Sequence, residues 1–448
     1  MKAARKLQKL RQPRSFMDYV RKFLTPEVWK QGRKSVRNRR SLPRWDLQPL
    51  ILVLLTMTWA GGESQSERFE SARGFYVLCH ESRTRPGKTL AGFRKAVARL
   101  PMAQLRSLAQ GVRQQIRAVY RDRLLIDGFE PFGCDGSRIE TPRACELECR
   151  LGKSGNEGSA PTIWVTAIIH LGLGLLWSWQ IGKGTADERR HLRQLLGTLP
   201  PAALIVTDAA YMSYALAQAI IQNHQSFLFR LSSKVNLYTL EEAALPTWEE
   251  GLVYYWPQDM QRKGEPPLQC RLIRVRAAGQ TRNDVWLLTN VLDSTRLSVA
   301  SAAKFYRWRW RNEGLFRTYK RTLQKVKLSS RTVRMIHREA EGSLLALQIL
   351  LAHADLAPRP EAVLGSPTIS PRKVLIEIRR EIKNSNGQTT LSYRERLETC
   401  RVDSRQQRTP KAIRAWPRRK PHKPPRPPKL RTLHEKLKPL FHKHIQAP

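Results

Sequence analysis

Residues 202–207 (A-A-L-I-V-T) form an apolar run that stops at Asp208. A run without alternation is typical of a strand buried on both faces, in a parallel setting with helices above and below. The flanking patterns agree with that. Beta-rich runs come first, at 124–129, 132–139, 162–170 (T-I-W-V-T-A-I-I-H) and 175–181 (L-L-W-S-W-Q-I). Gly172 and Gly174 punctuate the last two as a hairpin. Helical patterns cover 186–196 and 212–222, and another strand is expected at 227–231. Hairpin strands followed by helix, strand, helix and strand predict an α/β chain with a mixed sheet flanked by helices.

The rest of the chain divides around that core. Residues 1–120 read as a helical, basic domain that contacts nucleic acid, with Trp45, Leu47, Leu50, Leu54 and Leu55 as candidate core and Gly61-Gly62 as a break. Residues 121–233 read as the first part of a catalytic domain, 234–295 as a β-rich insertion and 296–355 as its second part. Residues 356–448 form a basic, proline-rich C-terminal region. From 401 onward it holds 15 Lys/Arg, two acids and nine prolines, a composition expected to stay disordered and to cling to phosphates.

Charge narrows the function. The net charge is +43, with 80 Lys+Arg against 37 Asp+Glu. Such an excess repels itself in a compact state, so a polyanion is the natural partner. Basic residues interleaved with Trp and Tyr along the whole chain favour nucleic acid over membrane. The longest apolar run, 50–60, is too short for a bilayer. Arg113, Arg117 and Arg121 recur every four residues and predict a basic ridge suited to a DNA backbone. The six cysteines form no C-x-x-C pair, which suits a reducing cytoplasm.

The densest chemistry lies at 305–321 (F-Y-R-W-R-W-R-N-E-G-L-F-R-T-Y-K-R), where five arginines accompany a single acid. Tyr306, Arg309, Glu313 and Lys320 fall at the spacing Y-x2-R-x3-E-x6-K. On one continuous helix, advancing about 100° per residue, they share a narrow arc while the aromatics face the other way. A solvated helix with an ordinary Arg309–Glu313 pair would look similar, but surface ion-pair helices mix their signs more evenly.

Two further acids stand out, Asp135 in G-C-D-G-S and Asp208 in V-T-D-A-A-Y. Each has a plain structural reading, as a turn or a helix cap. Together with Glu313 they occupy elements that would converge at the carboxyl edge of the sheet, where open α/β folds place their ligands. Two Asp and one Glu are hard oxygen donors suited to Mg²⁺ or Mn²⁺. A pair of such ions can activate the attacking oxygen and stabilise the leaving oxygen of a phosphodiester. Arg309 and Lys320 would hold phosphates beside them.

The D-G-S at Asp135, the V-T-D-x-x-Y at Asp208 and the complete Y-R-E-K box resemble the DDE transposases of bacterial insertion sequences, closest to the IS-four type, over residues 120–355. The resemblance implies a ribonuclease H-like domain with a β insertion between the second and third acids. It implies a Mg²⁺-dependent enzyme, two ions held by Asp135, Asp208 and Glu313, that excises and integrates an element at its terminal inverted repeats by cutting and pasting. A DNA hairpin intermediate, a homodimer on paired ends and a bacterial, nucleoid-associated location go with it. Tyr306, Arg309 and Lys320 would grip the DNA end, and Trp286 in W-L-L-T-N would stack a flipped base. Ala209-Ala210 departs from the Arg, or Ser and Gly, of many relatives. A nuclease without strand transfer, or a non-catalytic DNA-binding relic, are the alternatives.

Overall fold

The structure, a computed structural model, describes residues 15–35, 44–80, 85–152, 158–276, 284–356, 369–383, 391–402 and 427–445. The N-terminal part is helical: α1 (Phe16–Phe23), α2 (Pro26–Lys34), α3 (Leu47–Trp59), α4 (Gln65–Cys79), α5 (Leu90–Arg99) and α6 (Met102–Val119). Their starts are written locally. Ser15 and Asp18 form a reciprocal capping box on α1, and Thr25 caps α2 with proline at its first position. Trp45, Leu47, Leu50 and Leu55 are buried as expected, while Leu54 is half-buried.

The sheet then follows: β1 (Glu130–Glu140), α7 (Cys145–Leu151), β2 (Thr162–His170), β3 (Leu175–Lys183), α8 (Glu188–Leu195), β4 (Ala203–Thr207), α9 (Tyr214–Gln222) and β5 (Ser226–Arg230). β1 pairs antiparallel with β2 and parallel with β4, β2 pairs antiparallel with β3, and β4 pairs parallel with β5. The run at 202–207 is therefore a buried parallel strand, and the mixed, helix-flanked sheet has the ribonuclease H-like order. Residues 124–129 are not a strand of their own. They make a turn closed by Ile126 and Phe129, with Asp127 and Gly128 at positive φ.

The insertion continues the same sheet. β6 (Asn236–Thr239), β7 (Glu250–Tyr255), the short α10 (Gln258–Arg262), β8 (Leu268–Val275) and β9 (Val285–Thr289) extend it until β9 pairs with β5. The ten-stranded order is β10-β6-β7-β8-β9-β5-β4-β1-β2-β3, with β10 (Lys429–Thr432) at one edge. That last strand and the helix after it depart from the expected disorder over 427–445 alone. Residues 403–426 lie outside the described residues, but β10 pairs parallel with β6. The following α16 (Lys438–Ile445) sets Phe441 edge-on against Tyr254 at 4.7 Å. Apolar residues near the end had enough surface to pack on, which the proline count concealed.

Beyond the insertion come α11 (Val299–Trp308), α12 (Arg311–Arg317) with a π-helical turn (Thr318–Thr322), α13 (Val333–Asp355), α14 (Pro371–Lys383) and α15 (Tyr393–Glu398). α13 is apolar almost all round and runs between the N-terminal helices and β3. One hydrophobic cluster spans both sides of it. Its buried polar groups are only partly satisfied: Gln348 donates to the carbonyls of Leu176 and Trp177, each at 3.3 Å, and Tyr393 bonds His353 at 2.7 Å, while Gln348 Oε1 and His353 Nδ1 have no hydrogen-bond partner. Trp59, 1% exposed, donates to the Ala346 carbonyl at 3.2 Å. Burying an indole removes roughly 200 Å² from water, about 5 kcal/mol of transfer free energy.

Candidate catalytic site

The pairing of β1 with β4 sets Gly133 beside Val206. Asp135 and Asp208 each lie two residues further along in the same direction, so the parallel register carries them out side by side, with strands about 4.8 Å apart. The Asp135 carboxylate accepts the Gly136 N–H at 2.8 Å, and that of Asp208 accepts the Ala210 N–H at 2.9 Å. Glu313 sits in the first turn of α12, which packs across β1. Gly133 permits that approach, since a Cβ there would lie 2.6 Å from Asn312 Nδ2. Burial raises the Asp135 pKa above the usual range, and the charges of Asp208 and Glu313 raise it further. The Gly136 hydrogen bond and Arg309 oppose them.

The Y-R-E-K stretch does not run as one helix. Arg309 N–H bonds the Tyr306 carbonyl at 3.2 Å and Asn312 N–H the Arg309 carbonyl at 3.0 Å, both three residues back. Those tight turns separate α11 from α12, and the π turn after Arg317 widens the winding again. A single arc computed at constant pitch therefore fails. Arg309 is buried, its guanidinium over the rings of Tyr306 at 5.6 Å and Trp310 at 4.9 Å. Its Nε has no hydrogen-bond partner. Lys320 is carried on the π turn, where burial lowers its pKa and Glu140 partly restores it. The box brings Arg309 and Glu313 to Asp135 in the middle of β1 and leads Lys320 toward Glu140 at its last residue.

The other expected contacts fare differently. Arg113 lines a cavity beside Trp177 and Glu341, and burial pushes its pKa down to about 10. Arg117 gives both terminal nitrogens to Glu130, at 2.8 and 3.1 Å. Arg121 lies past the end of α6 in a 3₁₀ turn. The expected ridge is thus interrupted, because the helix stops at Val119 and its middle arginine is committed to the fold. Trp286 is 6% exposed, with the Arg274 guanidinium over its ring at 5.3 Å. Arg274 is in turn bound to Asp284 at 2.7 Å, so the indole has no open face in this conformation.

Two residues that sequence reasoning passed over belong to the site. Glu188, in the first turn of α8, has its pKa raised by burial and then by Asp208 and Asp135. The buried Tyr211 hydroxyl is close enough to oppose that shift, and it accepts from Cys134 Sγ at 3.6 Å. This chain ties the neighbours of both aspartates together. Asn312, 1% exposed, has neither side-chain polar atom hydrogen-bonded. Neither residue sits in a motif that spacing alone would flag.

The donor set is carboxylate oxygen only, with the charges of Asp208 and Glu313 both acting on Asp135, and a divalent cation fits that chemistry. As the side chains stand, no group of three or more His, Cys, Asp or Glu among the described residues is close enough to hold one. Among the described residues no helix is long and apolar enough to cross a membrane.

Residues 134–349 match the family model described as "Transposase DDE domain", a span from the residue before Asp135 to within α13. No curated protein matches the chain in sequence. Among solved structures, the cryo-EM structure of a piggyBac transposase synaptic complex with hairpin DNA is 13% identical. It aligns over 88% of this chain and 86% of that one, with a TM-score of 0.43, so the two folds superpose only loosely.

Proposed function

We propose that this chain, which carries a transposase DDE domain, is a Mg²⁺-dependent DNA transposase of the IS-four type. It would excise and integrate an insertion sequence by cutting and pasting at terminal inverted repeats, acting as a homodimer on paired ends at the bacterial nucleoid. The observation that carries this reading is the register setting Asp135 beside Asp208, with Glu313 and Arg309 within electrostatic reach.

Asp135, Asp208 and Glu313 would hold two Mg²⁺ ions, for which Mn²⁺ could substitute. Bound there, the ions would activate the attacking oxygen and stabilise the departing one. Glu313 is exposed on a helix start and free to turn inward, whereas Asp135 and Asp208 are anchored by backbone bonds. Arg309, held against Tyr306 and Trp310, keeps a planar donor fork beside the acids for the scissile phosphate. Lys320 would take a neighbouring phosphate as a point charge. A hairpin route needs a flipped base, and a base could reach Trp286 only after Arg274 swings off it.

The test is purified protein with a terminal-repeat duplex and Mg²⁺. Asp208→Ala should bind DNA normally and lose cleavage; retained cleavage would remove the metal assignment. Joining of a pre-cut 3′-hydroxyl to target DNA separates a transposase from a nuclease that only hydrolyses.

A further inference from the structure

A cavity of about 390 Å³ opens between the π turn and α14. Arg321 and Gln324 form one wall, Arg372 and Arg379 the other, and Leu375 and Ile376 an apolar floor. Arg68 of α4 binds the wall residue Gln324, donating to its Oε1 at 2.9 Å and to the Gly62 carbonyl at 2.9 Å. Three guanidinium groups thus line one concavity, with that of Arg68 beside its Gln324 wall. Among the described residues no acid lines it, and none of the four arginines is ion-paired.

Arg321 and Arg372 are exposed, and the cost of this arrangement falls on Arg379. Arg379 is half-buried, and burial and then the charge of Arg68 both disfavour its protonated form. A charge brought out of water without a counter-ion carries a penalty that an anion would offset. We propose that this cavity is a second phosphate site, distinct from the acid cluster, that holds one nucleotide unit of a DNA backbone. This rests on the nucleic-acid partner proposed above. The guanidinium walls suit the phosphate diester, and the floor of Leu375 and the 40%-exposed Ile376 suits a deoxyribose better than a fully hydrated free anion. Its first wall begins one residue after Lys320, on the same π turn.

The experiment is a salt titration of the full chain with a labelled duplex of arbitrary sequence, in EDTA so that no chemistry is required. Arg321→Ala/Arg372→Ala is the variant; Arg379 is spared because its Nε donates to the Trp59 carbonyl at 3.0 Å. Affinity should fall roughly tenfold, and the slope of log K against log salt should decrease by about 0.9, one phosphate contact. A charge-matched control, Arg21→Ala/Arg276→Ala, removes two exposed arginines already paired with Asp18 and Glu249 and should leave the slope unchanged. Equal slopes for wild type and the cavity variant overturn the proposal. If the double variant fails to fold by circular dichroism, Arg372→Gln alone carries the same test. Inorganic phosphate added at constant ionic strength should weaken DNA binding by wild type more than by the cavity variant, because it competes for the same guanidinium groups; equal weakening of both overturns the proposal. Loss of cleavage by the acid cluster has no bearing on this assay.

Discussion

Arg117 and Glu130 join the last turns of α6 to the first residue of β1 by two parallel hydrogen bonds, 2.8 and 3.1 Å long. The carboxylate is 4% exposed and the guanidinium 46%, so the acid depends on its partner far more than the reverse. Arg117→Ala should therefore destabilise the fold by roughly 2 kcal/mol, the cost of a buried carboxylate left without its donor. Urea denaturation measures it. A midpoint equal to wild type would mean water replaces the arginine, and Arg117 would return to the set of candidate DNA contacts.

Asp135 and Glu188 both titrate above the ordinary carboxyl range in the metal-free fold. The folded chain then keeps protons there that the unfolded chain has already released, so stability falls as pH rises through that window. Asp135→Asn removes part of this cost. It should raise the melting temperature of metal-free protein by a few degrees near pH 8, with little change near pH 4, and abolish the increment that Mn²⁺ gives wild type. Calorimetry in EDTA and in Mn²⁺ checks both halves. An asparagine variant no more stable than wild type near pH 8 would refute the electrostatic account of this pocket.

His353 is pushed down to about 3 and His170 to about 4, in each case chiefly by burial. Their depressed values mean the folded chain resists protons that the unfolded chain binds from about pH 6.5 downward. Stability should drop by roughly 1 kcal/mol per histidine between about pH 6.5 and 5.5, and continue to fall below that. Replacing His353 by Gln should flatten the profile by one histidine's share. An unchanged slope in that interval would show that the ring is hydrated.

At Gly133 α12 crowds β1: a Cβ there would lie 2.6 Å from Asn312 Nδ2 and 2.7 Å from Leu171 Cδ2. Gly133→Ala should cost about 1–3 kcal/mol through overpacking and lift the helix carrying Glu313. Cleavage should fall more than DNA binding does. Gly314→Ala on the same helix meets nothing within 4 Å and serves as the control.

Ending the chain at residue 402 removes β10 and α16, which cover Tyr254, Trp256 and the edge of β6. The truncated protein should bind a hydrophobic dye and aggregate at lower temperature, since an uncovered edge strand with exposed aromatics templates association. Light scattering during a thermal ramp decides it. Unchanged scattering would mean the edge is protected by something other than the tail.

Much of this was legible in local pattern. β2 was readable to the residue, and β4 nearly so, because a strand buried on both faces must be apolar throughout and a charge must end it. Residue spacing singled out Tyr306, Arg309, Glu313 and Lys320 as candidates, and the short motifs around Asp135 and Asp208 singled out those two acids. The break after Trp308 was not readable, since a helix periodicity assumes constant pitch and the change to three-residue bonds leaves no mark in residue type. Nor could the partners of Arg117 or Trp286 be read. A guanidinium beside a buried acid and one beside a phosphate look alike until the neighbouring strand is in place.

The order of strands and helices, the positive charge and the identity of the acids are properties of the chain as written, because alternation, apolar runs and formal charge are local and additive. Which arginines remain free for a ligand, which end of β1 Lys320 turns to, and how Tyr211 links Glu188 to the strand bearing Asp135 were decided only by folding. Those outcomes depend on distances between segments far apart in sequence, and the steep dependence of electrostatics and packing on distance makes a few ångströms decisive.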